Sequence, residues 1–320
     1  MHEFKIISEY LSKLSKKFRG ALNLNDDVFF DKTNNLVVSI DTYNEGNHFL
    51  NFKNPGLVIK KIIRSSISDL ICKGVKPKYY FLSSSGNKKV FTKNNLTKIS
   101  KSLMEEQKKY KIILGGGDTV YSNRLSFTVT SIGFSNKIIY RNKSKVNDDI
   151  YVTGNLGDSF IGLMVLKNKI KINKKLSTYF INQYYKPEIK YSLADHLKKF
   201  ATSSIDLSDG LISDLEKLTN KHKNSYQLFL DKIPMSKNLN YVINLKNLSK
   251  KKFISKGDDY QILFTSNHKN RNFIKKISST KKIKITRIGK ILNSSHKCSI
   301  IDKNRRQIKI NGKGYIHRFN

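Results

Sequence analysis

The chain has 24 Asp and Glu against 61 Lys and Arg, so the places where acids remain are informative. Asp26–Asp27, Asp41, Asp118, Asp206 and Asp258–Asp259 lie at the edges of apolar, strand-like runs or beside glycine, and Asp69 sits among Ser65, Ser66 and Ser68. Asp209 follows Asp206 by three residues. Strand ends are where α/β folds gather ligand groups. Several carboxylates turned into one cleft repel each other unless cations neutralise them, and Mg²⁺ on a polyphosphate is the usual partner. Singly, each Asp fits a turn or a helix cap. Jointly they point to metal-dependent phosphate chemistry.

Two further features fit that chemistry. Ile112–Leu114 is an apolar run that ends in Gly115–Gly116–Gly117, then Asp118–Thr119. Read locally, it is a strand followed by a glycine turn that lets a nucleotide approach the backbone. His48 follows the Asp41 strand closely and is placed to reach a substrate phosphate. Other templates are missing from the sequence. It has no Gly-x-x-x-x-Gly-Lys-Ser/Thr loop, no Gly-x-Gly-x-x-Gly run opening a helix, and no Gly-x-Ser-x-Gly elbow. No His-x-x-x-His or Cys-x-x-Cys pair suggests zinc.

The elements that must position these residues follow from periodicity. Spacings of three and four predict helices over 5–18, 55–73 and 96–110, and a helix over 187–200 opened by Pro187. Apolar runs predict strands near 36–40, 79–82, 125–132, 150–153, 226–230, 261–265 and 283–291, and one that ends at Asp206. On the 55–73 helix, Ser65 and Asp69 share a face. Helices alternate with strands in both halves, so the class is α/β (α+β). The polar stretch 143–149 marks a boundary near 145, giving domains 1–145 and 146–320.

A net charge of +37 raises a nucleic-acid partner as an alternative of a different class. The lysines, however, are spread along the whole chain, whereas nucleic-acid binders concentrate charge on one face or tail. The two cysteines, Cys72 and Cys298, form no motif, and no apolar stretch reaches the length of a membrane span. A cytoplasmic protein that touches neither membrane nor nucleic acid is expected.

The motifs, taken in order, resemble a known family. Asn25–Asp26–Asp27, Ser39–Ile40–Asp41–Thr42 with Glu45–Gly46–Asn47–His48–Phe49, Ser68–Asp69–Leu70 and Gly116–Gly117–Asp118–Thr119 come first. Val152–Thr153–Gly154 with Gly157–Asp158–Ser159, Ile205–Asp206–Leu207–Ser208–Asp209–Gly210–Leu211, Gly257–Asp258–Asp259–Tyr260 and Gly314–Tyr315 follow. The set spans nearly the whole chain and resembles thiamine-monophosphate kinases, within the superfamily of aminoimidazole ribonucleotide synthetase.

The resemblance implies a two-domain homodimer with mixed sheets flanked by helices. Residues 1–145 would carry most metal and ATP ligands and the dimer interface, and 146–320 would complete the site. ATP would phosphorylate thiamine monophosphate with several Mg²⁺ ions. Asp27, Ser39, Asp41, Asp69, Asp118, Asp206 and Asp209 would be metal ligands. Gly117, Asp118, Arg141 and Ser208 would contact ATP, and His48 and Asp258 the acceptor. No general base is implied, because the acceptor phosphate is already ionised. Another ATP-using member of the superfamily is the related alternative. Three positions depart from the family pattern: Asn25 for a Gly, Ile40 for a Thr, and Gly312 for an aromatic residue that can stack on the thiamine.

Overall fold

The computed structural model describes residues 2–15, 17–219, 223–310, 314, 315, 317 and 319. Gly312 lies outside them. Strands β1 (Phe29–Asp31), β2 (Leu36–Asn44), β3 (Pro77–Gly86), β4 (Ile113–Tyr121) and β5 (Ser126–Phe134) form a first sheet in the order β1-β2-β5-β3-β4. A second sheet is built from β6 (Asp149–Thr153), β7 (Ala201–Asp206), β8 (Ser225–Phe229), β9 (Ile262–Ser266), β10 (Ile285–Leu292) and β11 (Ser299–Ile301), in the order β11-β8-β10-β6-β9-β7. Both are mixed: β3–β4 and β8–β11 pair in parallel, the rest antiparallel. The helices are α1 (Glu3–Ile6), α2 (Pro55–Cys72), α3 (Lys93–Tyr110), α4 (Asp158–Leu166), α5 (Lys174–Tyr185), α6 (Ala194–Leu197), α7 (Leu211–Leu218), α8 (Lys237–Leu245) and α9 (Arg271–Lys281). The expected α/β (α+β) class with two mixed sheets is what the chain forms.

Helix α2 is the centre of the molecule. Pro55 opens it at a position where its missing N–H costs nothing. Val58, Ile59, Ile62, Ile63, Ile67, Leu70 and Ile71 are all buried. Each such side chain contributes about 1.5–3 kcal/mol on leaving water. The helix lies on β2 and β5, is flanked by α3 and α5, and touches β7 of the second sheet. Being enclosed on several sides, α2 buries polar residues as well, and those build the site described below.

Three expected elements differ. The helix over 5–18 is α-helical only at Glu3–Ile6, then widens to a π-turn at Ile7–Leu11 and tightens to a 3₁₀ turn at Ser12–Ser15. Tyr10, Leu11, Leu14 and Phe18 are exposed, so no packed face holds one helical period there. The helix over 187–200 shrinks to a 3₁₀ turn at Tyr191–Leu193 and one turn at α6. The strand at 112–114 does not stop at the glycines but runs on through Asp118 to Tyr121. Tyr80 pairs with Leu114 and Phe81 with Gly116, so Gly115 is the extra residue of a bulge. A Cβ on Gly117 would fall 1.9 Å from Leu82 O. The glycines therefore let β4 lie against β3.

Candidate active site

The carboxyl ends of β2 and β7, the middle of α2 and the 257–260 loop meet around one cavity of about 1040 Å³. Asp27, Asp41, His48, Asp69, Arg141, Asp206, Ser208, Asp209 and Asp258 all line it. Ten of the twelve expected site residues thus gather in or beside one volume, Ser39 being the neighbour set back from its wall. Ser39 is buried behind Asp41, and its hydroxyl donates to Ser66 O at 3.4 Å. Gly117 and Asp118 are not brought in. They lie on β4, an exposed edge strand. Asp118 pairs with Ser83, Ser83 with Thr128 and Thr128 with Thr42, which is on the cavity rim. Three strand spacings, about 14 Å, therefore separate Asp118 from its own cavity.

The acids fall into two groups. At one end, Asp26, Asp27 and Asp209 are already neutralised. Lys73, without exposed surface, places Nζ 2.8 Å from Asp26 Oδ1 and 2.6 Å from Asp27 Oδ2, and donates to Ser204 O at 2.8 Å. Its approach to Asp27 Oδ2 is close but off the line of a good hydrogen bond. Arg141 donates to Asp27 Oδ1 at 2.8 Å and to Asn25 Oδ1 at 3.0 Å. Although burial acts the other way, Lys73 and Arg141 hold the Asp27 carboxyl well below the usual range. Asn25 has φ −121°, so it fills the glycine position without left-handed backbone. Lys217 bridges Asp209 Oδ2 at 2.7 Å and Asp214 Oδ1 at 2.9 Å.

In the second group, Asp41, Asp69 and Asp206 form no ion pair among the described residues. Burial pushes Asp41 up to about 7, with Asp27 adding to the rise and the Tyr43 hydroxyl, 3.2 Å from Oδ2, opposing it. Burial pushes Asp206 up to about 8, again with Asp27 adding. Asp69 is raised by burial and by Asp41 and Asp206. Three hard-oxygen donors that are costly to ionise alone are a fit for divalent cations. Among the described residues no three His, Cys, Asp or Glu close into a ready-made chelate.

At the far end the cavity is aromatic. His48 Nδ1 accepts from Asn44 N at 3.0 Å, which leaves the proton of the neutral ring on Nε2. Burial lowers the His48 pKa, as do His317 and Lys61 nearby. The His48 and His317 rings lie 5.5 Å apart, and Tyr315 packs edge-on to His317 at 4.9 Å. Lys61, Lys73, Lys217, Tyr43 and His317 were not singled out by the sequence reading. The available signal was helical spacing: Lys61 and Lys73 lie eight residues before and four after Asp69, on its face of α2.

Residues 25–135 match the family described as AIR synthase related protein, N-terminal domain. Thiamine-monophosphate kinase of Buchnera aphidicola subsp. Acyrthosiphon pisum (strain APS) is 34% identical over 98% of this chain and 98% of its own length. The chain belongs to the thiamine-monophosphate kinase family. The Escherichia coli (strain K12) member is 29% identical, also over 98% of both chains. Among solved structures, AaThiL complexed with AMPPCP and TMP superposes with a TM-score of 0.84 at 24% identity, over 99% of both chains. The fold of this family is therefore retained across nearly the whole length. No described helix is long and apolar enough to cross a membrane.

Proposed function

We propose that the protein transfers the γ-phosphoryl group of ATP to thiamine monophosphate, giving thiamine diphosphate and ADP. The observation that carries this reading is one cavity lined by two kinds of group: the acids Asp41, Asp69 and Asp206, which form no ion pair among the described residues, and the hydrogen-bonding, aromatic set around His48 and Asp258. At about 1040 Å³ the cavity is at the upper end of the usual range for ligand sites. The related AaThiL has been solved with AMPPCP and TMP, which supports the same pair here.

A phosphate oxygen of the acceptor forms the new bond to the γ-phosphorus. The bond from that phosphorus to the β,γ-bridging oxygen breaks, and ADP leaves with the electron pair. The attacking oxygen carries no proton at neutral pH, so no side chain acts as a base. The chain's task is alignment and charge compensation. We assign His48 Nε2–H as a donor to the acceptor phosphate, a role supported by its Nδ1 accepting from Asn44 N. Arg141 and Ser208 face the nucleotide end. Asp27, Asp41, Asp69, Asp206 and Asp209 would hold Mg²⁺, which when bound supplies positive charge to the phosphates. Ser39 would join them through a lone pair of its hydroxyl oxygen, whose proton is donated to Ser66 O. We propose domains of 1–145 and 146–320, a division supported by a first sheet that ends at Phe134 and a second that begins at Asp149.

Asp118 and Gly117 join the site through a homodimer. The face of the first sheet opposite α2 is bare. Ile40 is 67% exposed, Ile113 55%, Phe134 50% and Val120 49%. A contiguous apolar sheet face with an open edge strand is an interaction surface. A second copy packed on it in two-fold symmetry lays its β4 across the rim at Ile40 and Thr42. Asp118 of the partner subunit then lies near the carboxylates that it cannot reach within its own chain. A cytoplasmic location accords with the buried free thiol of Cys72.

The test is formation of thiamine diphosphate from thiamine monophosphate, ATP and Mg²⁺, followed by chromatography. Asp41→Asn serves as the inactive control. A product equally abundant with and without enzyme defeats the proposal.

A further inference from the structure

Lys61 is only 1% exposed, in the second turn of α2. A buried ammonium is retained only when it is paired and hydrogen-bonded, and Lys61 is both. Nζ lies 2.8 Å from Asp258 Oδ1, donates to Tyr184 O at 3.5 Å, and stands 3.8 Å above the centre of the Tyr184 ring. It therefore ties α2 and α5 to the 257–260 loop.

That loop is strained. Asp258 has φ +69° and Tyr260 φ +48°, two non-glycine residues in left-handed backbone within three positions. Backbone bonds from Asp258 N to Ser208 O and from Tyr260 N to Leu207 O, both 2.9 Å, staple it to the chain just after β7. A Cβ on Gly257 would fall 1.9 Å from Ser208 O, so the two strands of chain touch. The Asp258 side chain is held at one oxygen. Oδ1 takes Lys61 and the Tyr260 hydroxyl at 3.2 Å. The carboxylate remains 30% exposed and lines the cavity. Oδ2 makes no hydrogen bond among the described residues, so it is the oxygen left for a ligand.

Ser65 and Asp69 follow Lys61 at i+4 and i+8, and Ser65 Oγ donates to Lys61 O at 2.8 Å. One helical face thus carries an acceptor-end group and a metal-end group about 12 Å apart along the axis. We propose that Lys61 is the positioning residue of the acceptor subsite: its ammonium fixes Asp258 Oδ1, and Oδ2 is thereby presented to an N–H-bearing, cationic heteroaromatic acceptor. This rests on the function proposed above. Lys61 itself touches no substrate. It acts through Asp258, at a fixed distance from Asp69.

The experiment compares Lys61→Met and Lys61→Gln with the unsubstituted protein in steady-state kinetics, with calorimetric titration of thiamine monophosphate in the absence of ATP. The expected result is a rise of about tenfold or more in KM for thiamine monophosphate, with a matching loss of affinity, while KM for ATP and kcat stay within about threefold. A fall in melting temperature with KM for the acceptor unchanged assigns Lys61 a purely structural role and overturns the proposal. Should Lys61→Met fail to fold, Lys61→Gln, which keeps a donor and a similar volume, gives the same reading. Absence of turnover in the unsubstituted protein is a different failure: it removes the functional reading, and this assignment with it.

Discussion

Lys73 Nζ and Asp27 Oδ2 stand 2.6 Å apart, the lysine with no exposed surface and Asp26 Oδ1 on its other side at 2.8 Å. The C-terminal end of α2 is thereby fastened to the loop that carries the first pair of acids, before any ligand arrives. Removing one member of such a cluster leaves a buried charge alone. Lys73→Met is expected to cost about 3–5 kcal/mol of unfolding free energy, read from urea denaturation in metal-free buffer. A loss below about 1 kcal/mol, the range of surface pairs, contradicts this role.

Asp41 and Asp206 oppose that pattern, because they weaken the metal-free protein. Asp206 is only 3% exposed and is pushed up to about 8. Asp206→Asn is expected to raise stability at pH 8 by about 1–3 kcal/mol, and Asp41→Asn to act in the same direction. Both should lower kcat/KM by about a thousandfold or more, about 4 kcal/mol of transition-state stabilisation. Thermal melts and turnover are measured on the same preparations. Variants that are less stable and fully active contradict the assignment.

The same two groups set a pH dependence. Asp41 at about 7 and Asp206 at about 8 lie above the ordinary carboxylate value. Between the unfolded and folded values the native state binds more protons than the unfolded state, so stability falls as pH rises. Asp27, held low by Lys73 and Arg141, contributes fully above about pH 4 and is lost only in stronger acid. His48, lowered by burial, acts oppositely only below about pH 6.5. The melting temperature of the metal-free protein is therefore expected to fall from pH 6.5 to 8. Mg²⁺ should flatten that slope, since its ligands must be ionised. A melting temperature that rises over this interval without metal contradicts the account.

Asp118 gives a test of assembly. If it serves the neighbouring site, Asp118→Asn and Asp206→Asn each give inactive homodimers. Their mixed dimer retains one site with both acids intact. Mixing the two variants under subunit exchange is expected to restore up to about a quarter of normal activity, because about half the dimers are mixed and each has one intact site. No recovery, with exchange verified by mass, contradicts the shared site. Val120→Lys, on the exposed sheet face, should shift the protein toward monomer in sedimentation.

The residues at chain ends of strands were legible from sequence because their signal is local. Asp41 and Asp206 each follow an apolar run, and both line the cavity. Asp69 was placed by helical spacing from Ser65. Lys61 and Lys73 were hidden by composition: in a chain with 61 Lys and Arg, two buried lysines look like all the others until α2 is seen enclosed on several sides. The glycine run was legible in part. Gly115–Gly117 reads as a turn, yet the bulge opposite Tyr80 and Phe81 and the close approach to Leu82 O keep the chain in β4 through these residues. Parallel pairing and edge position are long-range properties that no local pattern encodes. The 5–18 segment had the right spacing for a helix, but Tyr10, Leu11, Leu14 and Phe18 have no surface to pack on, and its half-buried part at Ile7 borders the cavity.

The central claim is direct transfer to the acceptor phosphate, and labelled ATP tests it most directly. With γ-³²P-labelled ATP, Mg²⁺ and thiamine monophosphate, the label is expected in the terminal phosphate of thiamine diphosphate, with one ADP formed per diphosphate. Label recovered only as inorganic phosphate, or ADP formed without thiamine diphosphate, would contradict the account.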